Sequence, residues 1–208
     1  MTTRIAILAS GAGTNARALL DASLHGELGD ATVVAVLADK AGCGALEVAA
    51  RAGVEALFVD PADPTGGRAA YGDALLGALR ARNVDLVCLS GFMRILSPGF
   101  IAAFEGRVLN IHPALLPAFP GAHAVRDALA WGVKVTGTTV HFADEHVDHG
   151  PIVAQECVRV LPGDDEGTLH ERIKAVEHRL YPQAVRLVVS GHTRISGRRV
   201  EVGDRVRR

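Results

Sequence analysis

At 208 residues the chain is long enough to bury one core of ordinary globular size, and nothing in its length demands a second. With 49% hydrophobic and 22% charged residues it lies outside the polar, highly charged regime of disordered chains. A formal net charge of -1 offers no bulk attraction to phosphate backbones or anionic lipid, so neither nucleic acid nor a membrane is expected as partner, and any anion must be captured locally. The apolar runs are too short to span a bilayer, and Ile5 to Ala9 lacks the length and cleavage pattern of a signal peptide, which places the chain in the cytoplasm. Cys43, Cys88 and Cys157 are odd in number and far apart, which argues against a disulfide framework or a structural zinc site.

In chain order, Arg4 to Ala9 reads as a short apolar strand, followed by a Gly-rich turn and an amphipathic helix from Thr14 to Leu24. Val33 to Ala38 is a second strand, Cys43 to Ala52 a helix and Glu55 to Val59 a third strand. The segment from Pro61 to Gly67 reads as a turn-rich loop, Arg68 to Arg82 as a helix, and Asp85 to Leu89 as a strand. Ser97-Pro98 has the form of a helix cap with proline at the first helical position, and Arg107 to Ile111 reads as a fifth strand. Beyond the Pro- and Gly-rich stretch Pro113 to Gly121, a helix from Ala122 to Trp131 precedes two strand-like runs, Val135 to Phe142 and Pro151 to Val160. Thr168 and Glu171 have capping-box spacing ahead of a helix reaching Val189, and Thr193 to Val202 is a candidate hairpin. The order predicts one α/β, Rossmann-like domain over 1–208: a mostly parallel sheet flanked by helices, with an antiparallel extension in the C-terminal half.

Three motifs carry chemistry. Ser10-Gly-Ala-Gly-Thr-Asn15 lies between a strand and a helix, where glycine lets backbone approach an anion and the helix start offers free N–H donors. It fits a phosphate-bearing small ligand. It also fits the permissive dinucleotide pattern, with Gly11, Gly13 and Ala16 in place and Asp39 ending the second strand where a ribose-binding acid would sit. In the second motif, Asn110 to Pro117, strand alternation puts Asn110 and His112 on one face: an amide donor suited to an oxyanion and an imidazole that titrates near neutrality. The third is Asp148 in a turn-like Val147 to Pro151. Folded over the fifth strand, its carboxylate would raise the pKa of His112 and help move a proton. His141, His146 and His149 with Asp148 have metal-ligand chemistry, but their spacing matches no specific site, and no metal is expected.

Taken with Gly91 to Leu96, Phe119-Pro-Gly121, Gly137 to His141 and Asp148 to Pro151, these motifs resemble the phosphoribosylglycinamide formyltransferases, a branch of the folate-dependent formyl transferase family. The resemblance runs through nearly the whole chain. It implies direct transfer of a formyl group from 10-formyltetrahydrofolate, a cosubstrate, to the amine of glycinamide ribonucleotide, a step of purine synthesis without metal or covalent intermediate. Asn110, His112 and Asp148 would be catalytic, Gly13, Thr14 and Asn15 would hold the acceptor's phosphate, and Glu177 would contact the acceptor. Arg68, Met93, Arg94, Ile95 and Leu96, with Asn110 and the run Asp144, Glu145, His146, Val147 and Asp148, would frame the folate, supported by Thr139 and His141. A homodimer is compatible with this reading. Ala12 and Ala114 depart slightly from the family pattern. His149 stands where relatives often carry a smaller residue, and an adjacent imidazole is expected to compete for Asp148 and shift the pH profile. Members directed at tRNA are expected to add a C-terminal RNA-binding domain, and formyltetrahydrofolate hydrolases an N-terminal regulatory one. A non-catalytic nucleotide-binding module or a nicotinamide oxidoreductase would use the Gly-rich loop but leave Asn110, His112 and Asp148 unexplained.

Overall fold

A computed structural model describes residues 2–61 and 67–203. Strand and helix alternate through the first half: β1 (Thr3–Ala9), α1 (Thr14–Leu24), β2 (Ala31–Ala38), α2 (Gly44–Arg51), β3 (Glu55–Phe58), α3 (Gly67–Arg80), β4 (Leu86–Ser90), α4 (Pro98–Ala103) and β5 (Val108–His112). There follow α5 (Ala124–Trp131), β6 (Val135–Phe142), β7 (Ile152–Arg159), α6 (Glu166–Val189), β8 (Thr193–Ser196) and β9 (Arg199–Val202). Of the loop expected from Pro61 to Gly67, residues 62–66 lie outside the described residues.

Among the described residues one nine-stranded sheet runs in the order β3-β2-β1-β4-β5-β6-β7-β9-β8. The strands from β3 to β5 are parallel, β6 turns antiparallel to β5 and β7 to β6, and the expected α/β architecture with its C-terminal antiparallel extension is what the chain adopts. The hairpin expected near the C-terminus forms as β8 and β9, and β9 joins the sheet parallel to β7.

The central strands read as unbroken apolar runs because both of their faces are covered. Ile5, Ile7 and Ala9 of β1, with Leu109 and Ile111 of β5, pack against α1, α2 and α6. The alternate residues Ala6 and Leu8, with Val87, Leu89 and Val108, pack against α3 and α4. Ser97 caps α4 as expected, its Oγ accepting from the Phe100 N–H at 3.2 Å. The start of α6 differs from expectation. Asp165, not Thr168, is the cap: its carboxylate accepts from the Thr168 N–H at 2.8 Å, and the Thr168 hydroxyl accepts from the Asp165 N–H at 2.9 Å. Thr168 therefore occupies the third helical position of the same reciprocal motif.

Candidate active site

The β5–β6 register assembles the centre. Asn110 lies opposite His141 and His112 opposite Thr139, so strand alternation on two paired strands places four polar side chains on one face. His141 Nδ1 donates to the Phe142 carbonyl at 2.9 Å, which leaves Nε2 as an acceptor, and Asn110 Nδ2 stands 3.1 Å from it. The second N–H of Asn110 reaches Asp148 Oδ1 at 3.3 Å. Two acceptors thus fix the amide so that its NH2 faces the centre. Thr139 supports the segment after β5: its Oγ1 donates to the Ala114 carbonyl at 2.6 Å and accepts from the Leu116 N–H at 3.0 Å.

Asp148 arrives by a route that differs from a loop folded over the end of β5. Phe142 pairs with Leu109, and the Ala143 N–H reaches the Val108 carbonyl, so the chain leaves β6 beside the amino end of β5. The loop of residues 143–150 then returns across the face of β5. Asp148 takes a left-handed φ of 53° and sets Oδ2 3.3 Å from His112 Nδ1 and 2.8 Å from the Gly121 N–H. His112 Nε2 donates to the Phe119 carbonyl at 2.8 Å. Asn110, His112, His141 and Asp148 therefore form one contiguous cluster.

Charge in the cluster is set by burial first. Burial pushes the His112 imidazole below its ordinary value of 6.5, a shift that the Asp148 carboxylate and the Phe119 carbonyl oppose and His141 reinforces. The expectation of a raised His112 pKa is thus corrected: Asp148 pulls in that direction, and desolvation outweighs it. Burial acts to raise Asp148, but the neighbouring His141 and His112 rings and the Gly121 N–H together hold its carboxyl below the usual range. The centre at neutral pH is a neutral imidazole beside an ionised carboxylate.

A second cluster lies on the α1 and α6 side of the sheet. Gly13 precedes α1 with φ 77°, and a Cβ there would come within 2.5 Å of the Ala45 backbone, so glycine is required both for the turn and for packing on α2. No side chain caps α1, which leaves the N–H groups of its first turn open. Asn15 Nδ2 donates to Glu177 Oε2 at 2.8 Å, while its buried Oδ1 has no partner among the described residues. Burial raises the Glu177 pKa, with Asn15 and Thr138 acting against the rise. Thr138 Oγ1 is 3.3 Å from Glu177 Oε1 and 3.1 Å from the His112 carbonyl, which connects the two clusters.

The remaining candidates are dispersed around this core. Arg94 pairs with the buried Asp39 at 2.7 Å and lies over the Tyr71 ring at 5.5 Å. Asp39, considered for a ribose, is therefore engaged by the loop after β4. Met93, Ile95 and Val147 expose apolar side chains on the loops after β4 and β6, and Leu96 is half-buried against the α3 and α4 core. The Met93 N–H donates to Ser10 Oγ at 3.0 Å, tying that loop to the Gly-rich one. Glu145 is exposed, and Arg68, exposed at the start of α3, has no hydrogen bond to the other site residues. Asp144 accepts from the His146 N–H at 2.8 Å and from His149 Nδ1 at 3.0 Å. His149 is thus turned to Asp144 and does not compete for Asp148. Asp144, His146 and His149, not the set with His141 and Asp148, bring potential metal-ligand atoms within 4.8 Å of one another. Sequence reasoning missed Thr138, Tyr71 and the Phe119 and Gly121 backbone groups. Thr138 carried a signal in its place beside Thr139 in a strand, and Phe119 and Gly121 in the Phe119-Pro-Gly121 motif, but none was given a role.

The sequence model of the formyl transferase family matches residues 3–185. The phosphoribosylglycinamide formyltransferase of Mycobacterium tuberculosis is 52% identical over 208 residues, covering 96% of this chain and 94% of that protein. The crystal structure of glycinamide ribonucleotide transformylase 1 from Symbiobacterium toebii superposes with a TM-score of 0.95 at 50% identity, covering 98% of this chain and 95% of the other. Phosphoribosylglycinamide formyltransferase from Anaplasma phagocytophilum superposes at 0.89 with 32% identity, covering 97% and 95%. Family match, relatives and fold agree: the chain belongs to the formyl transferase family, on its phosphoribosylglycinamide formyltransferase branch, and is a one-carbon group transferase.

Proposed function

We propose that the chain formylates the amine of glycinamide ribonucleotide with 10-formyltetrahydrofolate as cosubstrate, in the cytoplasm, as a step of purine biosynthesis. The observation that carries this reading is the convergence of Asn110, His112 and Asp148, an oriented amide donor, a neutral imidazole and an ionised carboxylate, on one face of β5. The open N–H groups of Gly13, Thr14 and Asn15 suit the acceptor's phosphate, and Glu177 its amine. The exposed apolar side chains of Met93, Ile95 and Val147 suit a flat, partly apolar donor, which Arg68, Arg94, Leu96 and the run from Asp144 to Asp148 complete.

The neutral amine attacks the formyl carbon, a C–N bond forms and the carbonyl oxygen becomes an oxyanion, to which Asn110 Nδ2 donates by turning one of its two N–H groups from His141 or Asp148. The attacking nitrogen gains positive charge and gives its proton to His112, and Asp148 stabilises the imidazolium. The proton then passes to N10 of the folate as the bond from N10 to the formyl carbon breaks. The exchange balances as one amine proton for one formyl group, and the three side chains serve every step without a metal or a covalent enzyme intermediate.

Incubation with 10-formyltetrahydrofolate, with and without glycinamide ribonucleotide, tests this directly. Formylated product and deformylated folate should rise together and only with acceptor; folate turnover alone would assign a hydrolase. Asn110→Ala and His112→Ala should each slow single-turnover transfer ~100-fold or more with the melting temperature little changed. Dialysis against EDTA should leave the rate intact, whereas a loss restored by added metal would overturn the metal-free mechanism.

A further inference from the structure

The loop of residues 143–150 is tied at a point away from the catalytic cluster. Asp144 stands on its outgoing limb and His149 on its return limb, and His149 Nδ1 bonds Asp144 Oδ2 across the gap at 3.0 Å. Arg198 meets them from the tip of the C-terminal hairpin, beside the pair Ser196 and Arg199. One guanidinium nitrogen donates to the His149 carbonyl at 2.9 Å, and the other lies 2.9 Å from His149 Nε2 and 3.3 Å from Nδ1. The hairpin is itself anchored, because the next residue, Arg199, pairs with Ile152 at the start of β7. Contacts thus run unbroken from the sheet edge through Arg198 and His149 to Asp144.

Between the tied residues lies Asp148, whose φ of 53° is unfavourable for a side chain with a Cβ and persists where neighbours impose it. Gly150 is pressed so closely on the Phe142 carbonyl that a Cβ there would collide with it, so the return limb has little slack. We propose that Arg198 and His149 are positioning residues: through Asp144 they lock the loop to the C-terminal hairpin and hold Asp148 in the posture that reaches His112 and Gly121. The inference rests on the formyl-transfer reading, in which that posture sets donor binding and rate. The guanidinium beside His149 also makes the Asp144, His146 and His149 group a poor host for a dication.

Arg198→Ala and His149→Ala, with Arg194→Ala as control, test the lock by hydrogen–deuterium exchange over 143–150 and by steady-state kinetics. Arg194 lies in the same hairpin and among the described residues pairs with Glu201, at 2.9 Å. The first two variants should speed exchange in the loop, raise the donor KM and lower kcat/KM about threefold to tenfold, with the acceptor KM unchanged. Arg198→Lys, which keeps a donor for the His149 carbonyl, should recover part of the loss. The double variant should be no worse than the poorer single one. Unchanged exchange overturns the proposal, as does faster exchange with unchanged donor kinetics, or an Arg194→Ala variant that behaves like Arg198→Ala. A wild-type protein that binds donor but formylates no acceptor overturns the formyl-transfer reading instead, and exchange and donor affinity still decide whether the lock exists.

Discussion

His112 is surrounded on both ring nitrogens, and each neighbour has a different consequence. The Phe119 carbonyl keeps a proton on Nε2, while Asp148 at Nδ1 favours a second proton that burial disfavours. The acid limb of kcat/KM for the donor, at saturating acceptor, should therefore lie below the ordinary imidazole value of 6.5. Asp148→Asn removes the group that favours the imidazolium, so the limb should move to still lower pH while the plateau rate falls; a limb moving upward would contradict the assigned charge states. The pairing of Asn110 with His112 was legible from strand alternation alone. The reach of Asp148 was not, because it depends on a left-handed residue in a loop whose path is decided by register, and neither property is written in the composition of Val147 to Pro151. The net charge of His112 escaped for a related reason: a carboxylate neighbour is visible as a residue type, whereas the desolvation that outweighs it exists only once the fold has closed.

Helices and strands were legible where periodicity was strong, and α1 and β6 have the expected limits of Thr14–Leu24 and Val135–Phe142. The cap of α6 was misplaced because two overlapping S/T/D-x-x-E/T patterns compete in Asp165 to Glu171, and only the hydrogen bonds choose between them. The Gly-rich loop reads in sequence as an anion cradle, but nothing in that pattern hints that it is wedged against α2. That contact sets an expectation for the element as a whole. Gly13→Ala must relieve both an unfavourable φ and a 2.5 Å approach to the Ala45 backbone, so it should cost about 2 kcal/mol or more and displace the start of α1. A lowered melting temperature with a raised acceptor KM, and a donor KM changed less, would be the signature.

Across the molecule the sheet is stitched to its longest helix at one buried phenol. Tyr181 of α6 places its hydroxyl 3.0 Å from the carbonyls of both Leu89 and Leu109, at the β4–β5 seam, and burial pushes its pKa well above the ordinary value. Tyr181→Phe should remove about 1 kcal/mol and lower the melting temperature by ~2–4 °C, without a change in either KM. A large kinetic effect would mean that this bond also sets the position of β5. Strand order beyond β5 was legible only in outline, since parallel pairing of β9 with β7 rests on a single residue pair and has no sequence signature.

Thr138 has one hydroxyl hydrogen and two acceptors within reach, the His112 carbonyl on β5 and the Glu177 carboxylate on the side facing Asn15. It can satisfy only one at a time. Under the proposed function, an amine bound at the carboxylate would release the hydrogen to the carbonyl, and an empty carboxylate would draw it back. The two halves of the site thus share a single switchable bond, and thermodynamic reciprocity requires that whatever factor one substrate imposes on the affinity of the other be returned in equal measure.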